Sequence, residues 1–312
     1  MSKEIDCPLC GEKNAEFITR NLRFEKSADV YECLQCELVF LDQGSFQLPA
    51  GFYESEYHQS YLTHVEPDAL DPKAYFEKML KVMAPWANRF CEILSGGETI
   101  LDVGCSTGHF IKMIGDKAGK VYGHDLNVKE VKFCKEELGL DVSDQPLGER
   151  FQQGTFDYIT LIFVLEHIGD PVAFLKYLKT FLKPGGKILV VVPNIRDPLV
   201  SFYDIPEFRS FYYCIEHLFY YNKKSISLLF DKAGLSGAVE QVQEYPVTNH
   251  LNWVYHRRPS DSLAARWGAP DIFAGKGGEA ASWEQLWQRI DEIYREFLLS
   301  NGYADRLWCL VD

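Results

Sequence analysis

Leu101-Asp102-Val103-Gly104-Cys105-Ser106-Thr107-Gly108-His109-Phe110 reads as an apolar strand running into a glycine turn, and Val121-Tyr122-Gly123-His124-Asp125 follows at the spacing of a second strand. A strand that reverses into a helix over a bound ligand needs a tight turn and close backbone approach. Gly104 and Gly108 supply both because neither carries a Cβ. The helix start that follows presents unpaired N–H groups, which suit a ligand carboxylate. Asp125 ends the second strand, Lys120–His124, where dinucleotide folds place an acid on ribose hydroxyls, and a carboxylate accepts two such bonds. The pair predicts a nucleoside-containing ligand at the carboxyl ends of parallel strands.

A nicotinamide cofactor competes for this reading, since the same turn and acid serve both nucleosides. The spelling here is Gly104-x-x-x-Gly108 with Ser106 between and Asp102 two residues before the first glycine, and G-x-G-x-x-G is absent. Asp-x-Gly-Cys-x-x-Gly resembles the cofactor turn of class I methyltransferases that use S-adenosylmethionine (SAM). Phe156-Asp157, Leu165-Glu166-His167 and Pro184-Gly185-Gly186 resemble the fourth- and fifth-strand signatures of the same family. The resemblance implies SAM contacts from Asp102, Gly104, Ser106, Gly108, Asp125 and Leu126, and the rule that ligands lie outside the carboxyl ends of parallel strands places Phe163 beside the SAM methionine.

The pattern around the turn agrees with a doubly wound α/β fold. A helical stretch from 74 to 94, interrupted at Pro85, precedes strands at 99–103, 120–124, 140–142, 154–163 and 187–192. Helices near 110–116 and 128–137, and another starting at Asp170-Pro171, lie between them. A sixth strand at 238–245 and a last one at 306–311 enclose an insertion. The expected architecture is a Rossmann-like sheet with a small N-terminal zinc ribbon and an α-helical insertion before the last strand. Its boundaries are 1–42 for the ribbon, 43–98 for a tyrosine-rich linker and N-terminal helices, 99–246 for the SAM-binding core, 247–304 for the insertion and 305–312 for the last strand.

The ribbon rests on two C-x2-C pairs, Cys7-Pro8-Leu9-Cys10 and Cys33-Leu34-Gln35-Cys36, with 22 residues between them. Two thiolates on each of two tight turns can close a tetrahedron around one Zn2+, leaving no position for substrate water. The expected metal is structural zinc at Cys7, Cys10, Cys33 and Cys36, and iron on the same four thiolates is the alternative. Glu37 stands where a second knuckle often carries glycine. The other five cysteines have no partner spacing and read as small core or near-site residues.

Formal charge of −13 over 312 residues opposes a long nucleic-acid footprint. The basic clusters, Lys223-Lys224 and His256-Arg257-Arg258, read as solvated surface. Met1-Ser2-Lys3-Glu4-Ile5-Asp6 lacks the apolar stretch of a signal peptide, and no run is long enough to span a bilayer, so a cytoplasmic enzyme is expected.

Methyl transfer asks the protein to align nucleophile, methyl carbon and sulfonium, exclude water and, for oxygen and carbon nucleophiles, remove a proton. Glu216-His217-Leu218-Phe219-Tyr220-Tyr221 resembles the Glu-His-x-x-Tyr-Phe stretch of zinc-containing sugar methyltransferases, which makes His217 the candidate base. Packing against Phe211, Tyr212, Phe219 and Tyr220 is the competing reading. His167 is a second candidate, for which helix capping or loop fixing competes. In similar zinc-bearing methyltransferases the tyrosine-rich stretch folds over the cofactor, so Tyr57, four residues from Tyr53 and Tyr61, is expected on SAM; packing on a helical face competes.

The insertion carries Asn249-His250-Leu251-Asn252-Trp253, Gly275-Lys276-Gly277-Gly278 and a helical stretch from 283 to 299 with Trp283, Trp287, Ile290, Tyr294 and Phe297 at three- or four-residue steps. Core packing, a cover over the site and a second copy of the chain, giving a homodimer, are the readings open to that apolar face. Aromatics with Asn249, His250 and Arg257 suit an acceptor such as a sugar or nucleotide sugar. Carbon-methylating deoxysugar enzymes carry a further C-terminal domain that this chain is too short to hold, which tilts the expectation towards oxygen. An RNA base methyltransferase with a zinc ribbon, and a non-catalytic zinc-ribbon interaction protein with a silent Rossmann-like domain, are the alternatives.

Overall fold

The computed structural model describes residues 5–47, 52, 71–260 and 278–312. Three strands come first: β1 (Ala15–Asn21), β2 (Ser27–Cys33) and β3 (Val39–Leu41). Helices α1 (Pro72–Val82) and α2 (Ala84–Ile93) lead into an alternation of β4 (Thr99–Val103), α3 (His109–Ile114), β5 (Lys120–His124), α4 (Val128–Glu136), β6 (Val142–Ser143), α5 (Leu147–Arg150), β7 (Phe156–Ile162), α6 (Pro171–Lys179) and β8 (Leu182–Pro193). The chain continues through α7 (Pro198–Ser201), α8 (Pro206–Tyr212), β9 (Phe219–Tyr220), α9 (Lys223–Ala233), β10 (Gly237–Val242), α10 (Val247–His256), α11 (Gly278–Ser300) and β11 (Arg306–Val311).

Seven strands form one sheet in the order β10-β11-β8-β7-β4-β5-β6. The pairs β4–β5, β4–β7, β5–β6 and β7–β8 are parallel, as the alternation of strands and helices requires. Residues buried on both faces explain the near-continuous apolar runs: Ile100, Leu101, Ile159, Leu161 and Ile188–Val192 are all inaccessible. By chain proximity the molecule divides into two compact units, one comprising 47–191, 229–238 and 309–312, the other comprising 1–46, 192–228 and 239–308.

In the first unit, local signals set the helix ends. The Asp71 carboxylate accepts from the amides of Lys73 and Ala74 to start α1, Asn127 does the same for α4, and Asp170 caps α6 ahead of Pro171. The expected break at Pro85 is real: α1 ends at Val82, Met83 caps it, and α2 restarts with the proline in its first turn. Strand β7 stops at Ile162, one residue before the expected end, because Phe163 turns to φ +57. Strand β8 starts five residues earlier than expected, and the register slips between Phe156 and Tyr158 where Pro184-Gly185-Gly186 enters.

In the second unit the sequence pattern showed only part of the order. Strands β1, β2 and β3 form an antiparallel sheet completed by β9, whose Phe219 and Tyr220 oppose Phe40 and Val39. Leu22, Val30, Val39 and Leu41 share a core with Leu199, Phe208, Tyr213, Tyr220 and Trp253. Strand β10 ends at Val242, short of the expected Tyr245, because the amides of Glu244 and Tyr245 donate to the Asp305 carboxylate at 2.8 and 2.6 Å. Helix α11 has two faces where one was expected. Tyr294, Asp291 and Leu298 point inward, while Trp283, Ile290 and Phe297 stand in solvent.

Candidate functional site

At the carboxyl end of β4 the backbone takes left-handed values at three of five residues: Gly104 at φ +75, Ser106 at +49 and Gly108 at +74. The carbonyl of His124, the last residue of β5, accepts from the amides of Gly104 and Cys105 at 2.8 and 3.1 Å, so the turn is fastened to the neighbouring strand. A Cβ at residue 104 would lie 2.5 Å from Cγ2 of Val164, and one at 108 would lie 2.6 Å from Leu140 and 3.0 Å from Cys134. Close approach as well as dihedral angle therefore requires both glycines.

Asp125 does more than the sequence reading asked. One carboxylate oxygen accepts from the Ser106 amide at 2.7 Å and the other from the Asn127 amide at 2.8 Å. Each oxygen keeps a lone pair for another donor. Burial pushes this carboxyl up, against the pull of the Asn127 and Ser106 amides. The neighbouring Leu126 is exposed. Asp102 is buried at the end of β4 and accepts from the Thr160 hydroxyl at 2.5 Å. Burial raises it to about 7, with the Thr160 bond opposing.

The structure thus places Gly104, Ser106 and Gly108 on one turn, Asp102 in the strand that leads into it, and Asp125 at the end of β5, fastened to it through the Ser106 amide. Phe163 follows β7, its ring edge-on to Trp86 of α2 at 6.3 Å. A left-handed backbone at a bulky aromatic residue is rare and concentrates at functional sites. Thr160, Val164 and Trp86 went unnoticed in the sequence; only the strand alternation, which puts Thr160 beside Asp102, could have suggested one of them. Tyr57, with Tyr53 and Tyr61, lies outside the described residues. The fourth-strand signature serves the opposite end of the sheet: the Asp157 carboxylate accepts from the Thr99 amide at 2.8 Å and from Lys183 at 2.6 Å, tying the starts of β4, β7 and β8.

Cys7, Cys10, Cys33 and Cys36 converge, with all four sulfurs within 4.8 Å of one another. The Cys7–Cys36 and Cys10–Cys33 separations are 3.6 and 3.4 Å. A tetrahedral ion with metal–sulfur bonds near 2.3 Å needs edges of about 3.8 Å, so the four thiols fit one. Gly11 and Glu37 occupy equivalent left-handed positions after the two knuckles, at φ +80 and +61. Glu37 is held there by its side chain: Asn222 donates to its carboxylate at 3.0 Å and to its carbonyl at 3.3 Å, and Lys224 pairs with it at 2.9 Å. Asn222 also exchanges capping bonds with Ser225 at the start of α9. Glu37→Gly is expected to relieve about 1 kcal/mol of backbone strain yet lower the melting temperature, because it removes that clasp. Glu37→Ala, losing both, should be the worse variant in thermal denaturation.

His217 is half-buried in the loop between α8 and β9, its ring 5.7 Å from that of Tyr220. The Tyr220 hydroxyl closes the loop, accepting from the Cys214 amide at 2.8 Å and donating to the Cys214 carbonyl at 3.2 Å. His167 is half-buried in the short helical turn Leu165–His167 after β7.

The insertion holds polar order that the sequence did not announce. His250 is buried, with Nδ1 2.5 Å from the Tyr294 hydroxyl and Nε2 3.4 Å from the Gln243 amide. Burial, then Arg295, brings it down to about 3, so it stays neutral at working pH. Tyr294 in turn meets Tyr203 at 3.0 Å. Asn249 is buried too, and Arg257 is exposed 3.7 Å from Glu207, so these three do not assemble into one open pocket.

Asp197, after β8, is fully buried; one oxygen accepts from the Leu199 amide at 2.8 Å, and the other has no partner among the described residues. Burial and the nearby Asp305 charge raise it to about 7. The folded protein therefore binds a proton here that the unfolded chain releases near pH 4, and stability falls as pH climbs from about 4 to about 7. Asp197→Asn is expected to gain several degrees in melting temperature over wild type at pH 8 and nothing at pH 4.

A family model described as a methyltransferase domain matches residues 75–240. A tRNA U34 carboxymethyltransferase of Campylobacter curvus is 26% identical over 194 residues, covering 60% of this chain and 56% of its own length. A ubiquinone biosynthesis O-methyltransferase of Idiomarina loihiensis is 33% identical over 105 residues, 31% of this chain and 43% of its own. The chain spans about half the length of the curated relatives it matches. A solved SAM-dependent methyltransferase from Archaeoglobus fulgidus aligns with a TM-score of 0.48 at 15% identity, over 74% of this chain and 93% of that one.

Proposed function

The chain belongs to the class I SAM-dependent methyltransferase family, and from that premise we propose that it methylates an oxygen of a small polar acceptor, a sugar or nucleotide sugar. Bound SAM supplies an activated methyl group on its sulfonium. The turn at Gly104–Gly108 would hold the amino-acid end of SAM, the free lone pairs of Asp125 its ribose, and Leu126 one face of its adenine. Asp102, buried behind the turn, would offer a carboxylate to the ammonium group, whose charge would draw its proton off. Phe163 would keep water from the transferring methyl. His217 would take the acceptor's proton, with His167 as the alternative base. Zn2+ at Cys7, Cys10, Cys33 and Cys36 would supply folding energy and no open position for chemistry.

What favours a small acceptor over RNA is the fate of the basic clusters. Lys224 is spent on Glu37 and Arg257 faces Glu207, in a chain of net charge −13. Oxygen is favoured by the likeness to the ubiquinone O-methyltransferase. The likeness to the tRNA enzyme supports RNA as a second reading. No described helix is long and apolar enough to cross a membrane.

The test is labelled-methyl transfer to a panel of nucleotide sugars, quinols and tRNA, followed by product mass. Transfer to a sugar hydroxyl is expected; transfer to a quinol or to tRNA alone overturns the sugar assignment. On the accepted substrate, His217→Ala should lower turnover at neutral pH about a hundredfold with SAM affinity unchanged. Full turnover would remove His217 from the chemistry.

A further inference from the structure

Helix α11 carries an exposed apolar row: Trp283, Leu286, Ile290, Ile293 and Phe297 are 55, 49, 37, 52 and 60% accessible. Their spacing is three, four, three, four. At about 100° per residue, this row lies roughly 90° round the helix from the inward face of Trp287, Asp291, Tyr294 and Leu298. The inward face is already engaged: Asp291 accepts from the Val247 amide at 2.7 Å and Tyr294 meets His250. The outward row is therefore a second apolar stripe that folding of the described residues leaves in water.

A strict three-four repeat is the seam that two similar helices use to pack knobs into holes. Single exposed apolar residues need no explanation, but five in register along about 21 Å of helix do. Phe202 adds to the apolar surface; it is 67% exposed, and its neighbour Tyr203 is the residue that holds Tyr294.

We propose that this row is the interface of a homodimer in which α11 packs antiparallel on α11 of a second copy. The charges flanking the row carry the choice of partner and direction. On the side away from the inward face stand Arg289 and Glu296, one heptad apart and opposite in sign. With a two-fold axis between Ile290 and Ile293, Ile290 of one copy meets Ile293 of the other, Leu286 meets Phe297, and Arg289 meets Glu296 twice over. A parallel pair would instead set Arg289 against the flank of Trp287 and Tyr294, which offers no carboxylate. Arg289 now pairs with Glu292 at 3.0 Å on the open surface, a contact weak enough to be exchanged.

Sedimentation equilibrium on the full chain at micromolar concentration tests this, with SAM titration as a check that each variant is folded. The wild type should be a dimer, and Ile293→Lys a monomer that binds SAM with unchanged affinity. Arg289→Glu should weaken dimerisation about tenfold, and the double variant Arg289→Glu/Glu296→Arg should restore it. A monomeric wild type overturns the proposal, as does a dimer indifferent to Ile293→Lys. A double variant no better than the single one overturns the antiparallel register.

Discussion

Gly104→Val is expected to abolish measurable SAM binding, read by calorimetry. A β-branched residue at φ +75 is disfavoured by its own backbone, and its Cβ would stand 2.5 Å from Val164 before the added methyls are counted. Gly104→Ala carries the smaller version of both penalties and should lose about tenfold in affinity, near 1.4 kcal/mol. Two controls separate the causes. Gly302 has the same left-handed backbone, at φ +76, with nothing within 4 Å of a Cβ, so Gly302→Ala should cost stability and leave SAM affinity alone. Val164→Ala should recover part of the affinity lost in Gly104→Ala. If it recovers none, the close contact is not what the glycine is for.

With Zn2+ on the four thiolates as proposed, Cys33→Ser is expected to release it and with it all acceptor methylation, while SAM affinity changes by less than about threefold. The cost to the ribbon is large, since a structural zinc site contributes about 10 kcal/mol or more to folding. Its reach follows from β9. Strand β3 pairs with Phe219–Tyr220, and the Leu41 amide donates to the Leu218 carbonyl at 3.0 Å, one residue beyond His217. Loss of the ribbon strips that pairing and frees the His217 loop. Hydrogen exchange should rise at Phe219 and Tyr220 together with Val30–Leu41, and metal analysis should find the ion gone. Unchanged protection at 219–220 would show that the metal and the loop are independent.

Much of the sheet was legible because its signals are local. Asp71, Asn127 and Asp170 cap the helices they precede, and long apolar runs marked β4, β7 and β8. The cysteine spacing and the Asp102–Gly108 spelling drew attention to clusters that the structure assembles. What stayed hidden is long-range. Two residues 180 positions away complete the ribbon's sheet, and no two-residue strand has a readable period. Likewise His250 looked like a site residue because its sequence neighbours are polar and aromatic, whereas Tyr294 and Gln243, which fix it, sit on other elements. The hydrogen bonds that Asp125 accepts from Ser106 and Asn127 leave no mark in a residue pattern, so its structural role is invisible beside its ligand-binding one.

Strand β11 lies inside the large sheet, between β10 and β8, although its residues come after both in the chain. During synthesis the sheet therefore has to wait. Until residues 306–311 have left the ribosome, β8 and β10 present bare edges, the kind of surface that recruits other nascent chains. The four cysteines, by contrast, are all made by residue 36 and could gather early. The ribbon's own sheet still waits for β9, and the large sheet closes only with β11.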